Sequence, residues 1–254
     1  VPGDSVLVLQ PASGRGSLFS LDGAFIREVR LPAPFVRAVV VRWPDSVLVV
    51  GMLGDRERFG WPLHLTSFRE NRASISASGG APRNGEFNVA DWIDLAVTDT
   101  QPWWTIQRPY ILSEYGPHLQ HRRSLARSPS WWTEDRANPV GIPHQQPPHP
   151  GINAVAIDSE GLLWVFLRVP GPDWRTAWAE VPVGATEIPT ARVRYHKLFV
   201  TLVEVIDPIA ERVLTRATLD HFVIAALPGR RAVSYIDAAG AAPQVHILQF
   251  SLTR

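Results

Sequence analysis

The sequence predicts an all-β chain, a β-propeller of four-stranded antiparallel blades, and three observations predict it. One strand phrase recurs, since Gly3-Asp-Ser-Val-Leu-Val, Pro44-Asp-Ser-Val-Leu-Val, Gly161-Leu-Leu-Trp-Val-Phe and Arg231-Ala-Val-Ser-Tyr-Ile are versions of it. Each version is followed by a hairpin, such as Leu18-Phe-Ser-Leu-Asp-Gly-Ala-Phe-Ile-Arg-Glu-Val, and repetition of small antiparallel units is the mark of radially stacked blades. Finally, apolar residues alternate over short runs, and 23 prolines with 18 glycines interrupt most windows long enough for a helix.

Taken in order, the first unit reads as strands at 5–9, 16–21 and 25–31, with Asp22-Gly23 as the hairpin turn. The second runs through 36–41, 46–52, 63–68 and 73–77, with Glu70-Asn71 at a hairpin tip. The third holds 93–97, 103–107, 110–115 and 120–125, with Gly116-Pro117 at its tip. A fourth follows at 152–158, 162–169, 197–206 and 212–219, turning at Asp207-Pro208, and a fifth at 222–226, 231–236 and 245–251. Residues 126–150 and 171–194 lack periodicity and read as long loops, which on a rigid scaffold often carry function. The first and last units hold three strands each, so they do not merge into one four-stranded blade. Five blades are visible, and six are expected in the full-length protein, with about one blade upstream of Val1.

A chain of 254 residues suits one large all-β domain spanning 1–254, and 45% hydrophobic with 19% charged residues suits a packed core. The net charge of +1, from 25 basic and 24 acidic residues, offers no one-signed field for nucleic acid or anionic membrane. With no cysteine there is no disulfide framework, thiolate zinc site or cysteine nucleophile. The longest apolar runs fall short of the ~20 residues of a membrane-spanning helix. The sequence opens at Val1 without methionine, in a turn leading into a strand, so a signal peptide is expected upstream rather than in this chain.

The phrases Ile152-Asn-Ala-Val-Ala-Ile-Asp-Ser-Glu-Gly-Leu-Leu-Trp-Val and Phe19-Ser-Leu-Asp-Gly-Ala-Phe-Ile-Arg resemble the NHL-like six-bladed β-propeller families, in particular uncharacterised bacterial propeller proteins. The likeness implies scaffold roles for Asp158 and Gly161, in the turn between inner strands, and for Trp164, packed between blades. It also implies an extracytoplasmic setting, periplasmic or secreted. Units two, three and five lack the full Asp-x-x-Gly phrase, which leaves the blade count open.

Several residues are candidates for chemistry. In lactonase-like hydrolases of this architecture an Asn near the position of Asn153 joins carboxylates around a divalent cation, and oxygen ligands of that kind suit calcium. No matching Glu and Asp phrases accompany Asn153, and an Asn before a strand commonly caps a turn. His144 and His149 sit in a proline-rich stretch without an accompanying carboxylate, which reads as a solvated loop. The other histidines, His64, His118, His121, His196, His221 and His246, are scattered and read as structural. Trp103-Trp104 alternates across a strand. The loop tryptophans Trp131, Trp132, Trp174 and Trp178 would either fold back as lids or form a platform for a sugar, an aromatic ligand or a peptide. Arg122 and Arg123 are expected to point opposite ways on a solvated outer strand. Arg168, ending an inner strand, is a candidate for a ligand carboxylate.

No Gly-x-Ser-x-Gly elbow, P-loop, dinucleotide glycine fingerprint, His-Glu-x-x-His or EF-hand loop occurs. The sequence therefore favours a non-enzymatic, monomeric binding scaffold for a protein, peptide or glycan, with no catalytic residue and no cofactor assigned. The alternative from another class is a metal-dependent, lactonase-like propeller hydrolase or lyase with a cation near Asn153. A third is a module whose outer blade surface carries the contacts.

Overall fold

The computed structural model of the chain describes residues 5–10, 13–30, 37–42, 46–50, 63–69, 72–79, 92–96, 103–107, 110–116, 118–133, 146–178, 195–227, 229–236 and 244–253. These residues form an all-β, mainly antiparallel structure, and every strand expected from the alternation is present within two residues at either end. By backbone proximity the chain divides into two compact units, Val1–Gln107 with Leu112–Ser124, and Arg108–Ile111 with Leu125–Arg254.

In the first unit β1 (Ser5–Gln10), β2 (Arg15–Ser20) and β3 (Phe25–Arg30) form a meander. A second meander comprises β4 (Arg37–Arg42), β5 (Ser46–Val50), β6 (Leu63–Arg69) and β7 (Arg72–Gly79). A parallel bridge at Arg30 and Arg72 joins the two into a seven-stranded sheet. The Asp22-Gly23 turn is closed by Gly23 N–H donating to the Ser20 carbonyl at 3.0 Å, with Gly23 at φ +87°, where a side chain would be strained. The Glu70-Asn71 tip lies outside the described residues. A four-stranded sheet is laid out as β8 (Trp92–Ala96), β9 (Trp103–Gln107), β10 (Ile111–Tyr115) and β11 (His121–Ala126), each strand beside the next in sequence.

The second unit carries a four-stranded sheet of β12 (Gly151–Ile157), β13 (Leu163–Pro170), β14 (Phe199–Asp207) and β15 (Arg212–Leu219), and a three-stranded one of β16 (Phe222–Leu227), β17 (Arg231–Ile236) and β18 (Gln244–Gln249). β12 to β14 are buried along most of their length, while β15 is largely exposed. That gradient explains why Ile152–Ile157 and Leu162–Leu167 read as near-continuous apolar runs: strands covered on both faces lose the period-two alternation.

The two sheets of this unit share a core of Ala154, Ala156, Leu162, Trp164, Phe166, Val203, Val205, Val223 and Ala232, edged by Leu248 and Phe250. Phe250 stacks at a tilt on Trp164 and Phe166, with ring centres 5.8 and 5.5 Å apart. Trp164 thus fills the space between sheets. Emptying the Phe166 position to alanine would cost about 3–5 kcal/mol.

The loop after β13 departs from its expected lack of helix. α1 (Trp174–Trp178) and α2 (Tyr195–Leu198) are single turns, too short for a 3.6-residue period to register in the sequence. α2 also delays the following strand, which starts at Phe199 rather than Lys197.

Candidate functional site

The structure separates two polar centres around the β12–β15 sheet. The first is the Asp158 turn between β12 and β13. The carboxylate of Asp158, 4% exposed, accepts the backbone N–H groups of Glu160 and Leu162 at 2.9 and 3.0 Å. It also accepts Trp164 Nε1–H and Arg230 Nε–H, both at 2.9 Å. Gly161 takes φ +81° and donates its N–H to the Asp158 carbonyl at 3.0 Å, which is why glycine ends the Asp-x-x-Gly phrase. Burial, the largest single influence, pushes the Asp158 carboxyl up; its four hydrogen bonds together outweigh burial and hold it below the ordinary aspartate value. This centre is scaffold, with each acceptor position filled from within the fold.

The second centre is built on Glu204, in the middle of β14 and fully buried. Its carboxylate accepts Tyr110 Oη–H at 2.7 Å, Arg216 Nε–H and Nη2–H at 3.0 and 2.6 Å, and Arg127 Nη2–H at 3.3 Å. Arg127 Nε adds an ion-pair contact at 3.2 Å. Arg216 sits directly across the ladder from Glu204, placed there by the Asp207–Glu211 turn. Tyr110 and Arg127 are joined by Arg127 N–H donating to the Tyr110 carbonyl at 2.9 Å. Burial first, and the Glu204 charge second, raise the Tyr110 phenol well above its ordinary value, so it stays a donor.

Two aromatic rings are seated on this cage. Trp132 packs on Tyr110 with ring centres 5.2 Å apart, and Arg216 lies over Trp131 at 5.7 Å. Trp131 and Trp132 meet edge to face at 5.9 Å and 72°, a corner rather than a flat stack, and both are half-buried. With two guanidinium groups on one carboxylate, the cage keeps one surplus positive charge, and the Arg216 side chain is 44% exposed.

The other candidates lie elsewhere. Trp174 is buried in α1 beneath Arg175, whose guanidinium carbon is 4.6 Å from the ring centre, so it belongs to the packing of that turn. Trp178 closes α1, and its side chain is outside the described residues. Asn153 occupies a β-bulge in β12 and donates Nδ2–H to the Val223 carbonyl at 2.8 Å, pinning β12 to β16. Arg168 arches over the Phe199 ring at 5.3 Å and passes its ladder partner Gly151 so closely that a Cβ there would come within 2.5 Å of Arg168 Nε.

His149 is engaged at both ring nitrogens, with Thr133 Oγ1 3.2 Å from Nδ1 and Gln146 Nε2 3.4 Å from Nε2; His144 lies outside the described residues. The expectation that Arg122 and Arg123 point apart is corrected. Both reach buried Glu114, Arg123 Nε at 2.5 Å and Arg122 Nη1 at 3.4 Å, because long guanidinium stems let neighbours on one strand converge on one carboxylate.

Sequence reasoning missed Glu204, Tyr110, Arg127 and Arg216. One signal was available: a lone charge inside Leu202-Val-Glu-Val-Ile206 must find a buried partner, and the following turn sets Arg216 opposite.

No family model matches the chain, and no curated protein matches it. Among solved structures it is similar to a functionally unknown protein from Desulfotomaculum acetoxidans DSM 771, at 13% identity over 98% of this chain and 67% of that one, with a TM-score of 0.43. It is also similar to a protein of unknown function from Bacteroides caccae, at 10% identity over 91% of this chain and 66% of that one, with a TM-score of 0.48. The chain thus spans about two thirds of the length of these two proteins.

Proposed function

We propose that this chain is a non-enzymatic binding scaffold, a β-propeller of NHL-like type, that takes a protein, peptide or carbohydrate ligand at the Trp131–Trp132 corner. The observation that carries the reading is the seating of that corner: two half-buried indoles are fixed by Tyr110 and Arg216, which are themselves fixed by buried Glu204. Aromatic groups held in place before binding lose little entropy when a ligand arrives, and they offer large apolar area beside a cation. The propeller architecture is supported by the antiparallel meanders, whose strands follow one another in both space and sequence.

Screening the chain against glycan and peptide arrays, followed by titration of tryptophan fluorescence with any hit, tests the reading. Trp131→Ala and Trp132→Ala should each weaken binding by about tenfold or more, roughly 1.4 kcal/mol, as expected of aromatic anchors. A ligand that binds both variants as tightly as the parent chain would place recognition elsewhere.

A further inference from the structure

His221 and His246 stand 25 residues apart in sequence, yet their ring centres are 6.0 Å apart with planes inclined by 35°. We infer that they form a chelating pair for a divalent transition-metal ion such as Zn²⁺ or Cu²⁺. This site is separate from the tryptophan corner and does not depend on the reading given above.

The backbone brings the pair together. Val223, Ser234 and His246 are successive ladder partners across β16, β17 and β18, so their side chains share one face of the sheet. His221 lies two residues before Val223, at the bend that leads into β16. The start of β16 is held rigidly, with Val223 N–H donating to Thr201 Oγ1 at 2.9 Å and the Val223 carbonyl accepting Asn153 Nδ2–H at 2.8 Å. A ligand pair mounted on a clamped strand and its sheet partners needs little reorganisation to bind.

The nitrogen chemistry fits. A metal–nitrogen bond of about 2.0–2.1 Å puts each imidazole centre about 3 Å from the ion, so two rings on one ion stand about 5–6 Å apart. His221 Nδ1 is buried without a hydrogen-bond partner. His246 Nε2 lies 3.3 Å from the carbonyl oxygen of the Gln244 side chain, and in the tautomer that donates Nε2–H to that oxygen the Nδ1 lone pair is left for a metal; metal-binding histidines are commonly held this way. Ser234, the fully buried ladder neighbour of His246, has an Oγ without a partner. A buried imidazole nitrogen left unsatisfied carries a cost that a bound ion would remove.

Both histidine residues are half-buried rather than sealed in the core. Among the described residues no group of three or more His, Asp or Glu gathers, so the remaining coordination positions fall to water or an exogenous ligand.

The test is titration of the chelator-treated chain with Cu²⁺ and Zn²⁺, followed by calorimetry and, for Cu²⁺, by nitrogen hyperfine structure in the electron paramagnetic resonance spectrum. One ion per chain with two-nitrogen coupling is expected. Affinity should fall about tenfold or more in His221→Gln and in His246→Gln, and should be unchanged in His149→Gln. As a readout on the unaltered chain, Zn²⁺ should protect His221 and His246 together from diethyl pyrocarbonate, scored by peptide mass. Absence of saturable binding, binding that survives loss of either histidine, or labelling of the pair indifferent to Zn²⁺ would each overturn the assignment.

Discussion

Asp158 and Glu204 are both buried carboxylates beside the same sheet, and they are satisfied in opposite ways. Asp158 draws three of its four partners from within six residues of itself, with Arg230 alone coming from afar. Glu204 draws none from its own strand: Arg216 is 12 residues away, Arg127 77 and Tyr110 94. The first closes a turn, while the second fastens separate segments to the centre of a strand. A local carboxylate can be satisfied as soon as its hairpin forms. A long-range one is satisfied only when tertiary structure is complete, and until then its burial is a net cost.

The contrast predicts a hierarchy of losses. Glu204→Ala should be the most damaging, about 3–5 kcal/mol in urea unfolding, because it leaves two guanidinium groups and a phenol facing a vacated buried site. Asp158→Ala should cost less, about 2–3 kcal/mol, since the Glu160 N–H and the partly exposed Arg230 guanidinium can turn to water, leaving the Leu162 and Trp164 donors as the buried loss. Equal losses would erase the distinction between local and long-range anchoring. Tyr110→Phe removes a single charge-assisted hydrogen bond and should cost about 1.5 kcal/mol.

The same variants sharpen the comparison through pH. The Tyr110 phenol is raised in the folded state, so its contribution is intact below the ordinary tyrosine value of about 10 and is lost as pH climbs above it, where the unfolded chain ionises first. Tyr110→Phe should flatten that alkaline limb. Asp158 is lowered, so its contribution is present above the ordinary aspartate value of about 3.9 and is lost as pH falls through the lower folded value. Asp158→Asn should flatten this acid limb, the smallest of the expected effects. An unchanged acid limb would mean that Asp158 does not set it.

What could be read from the sequence divides along the same line. The Asp158-x-x-Gly161 turn was legible because its chemistry is contained within a few residues, and Gly161 at φ +81° is the residue such a turn demands. The strands were legible for the same reason: alternation and turn residues are local signals. Trp164 could be assigned to packing, although its Nε1–H donation to Asp158 could not. The Glu204 cage was only half legible. Arg216 follows from the hairpin register, whereas nothing near Tyr110 or Arg127 points toward residue 204. The tryptophans of the 126–150 loop stood out by type, but only the cage shows why Trp131 and Trp132 are held together while Trp174 belongs to a helical turn.

The sheet from β12 to β15 has one further consequence, for the order in which it assembles. β12 meets β13, and β14 meets β15, across short turns at 158–162 and 208–211. β13 must instead wait for residues 171–198 to be traversed before it meets β14. Closing that interval rather than a hairpin turn costs roughly 1.5–2 kcal/mol more in chain entropy. Two ready-made hairpins, each quick to form, would then dock in a single slower event. Shortening the connection between α1 and α2, with both helical turns kept, would hasten refolding while leaving the rate of unfolding nearly untouched, so the length of this connection sets the pace at which the two hairpins dock.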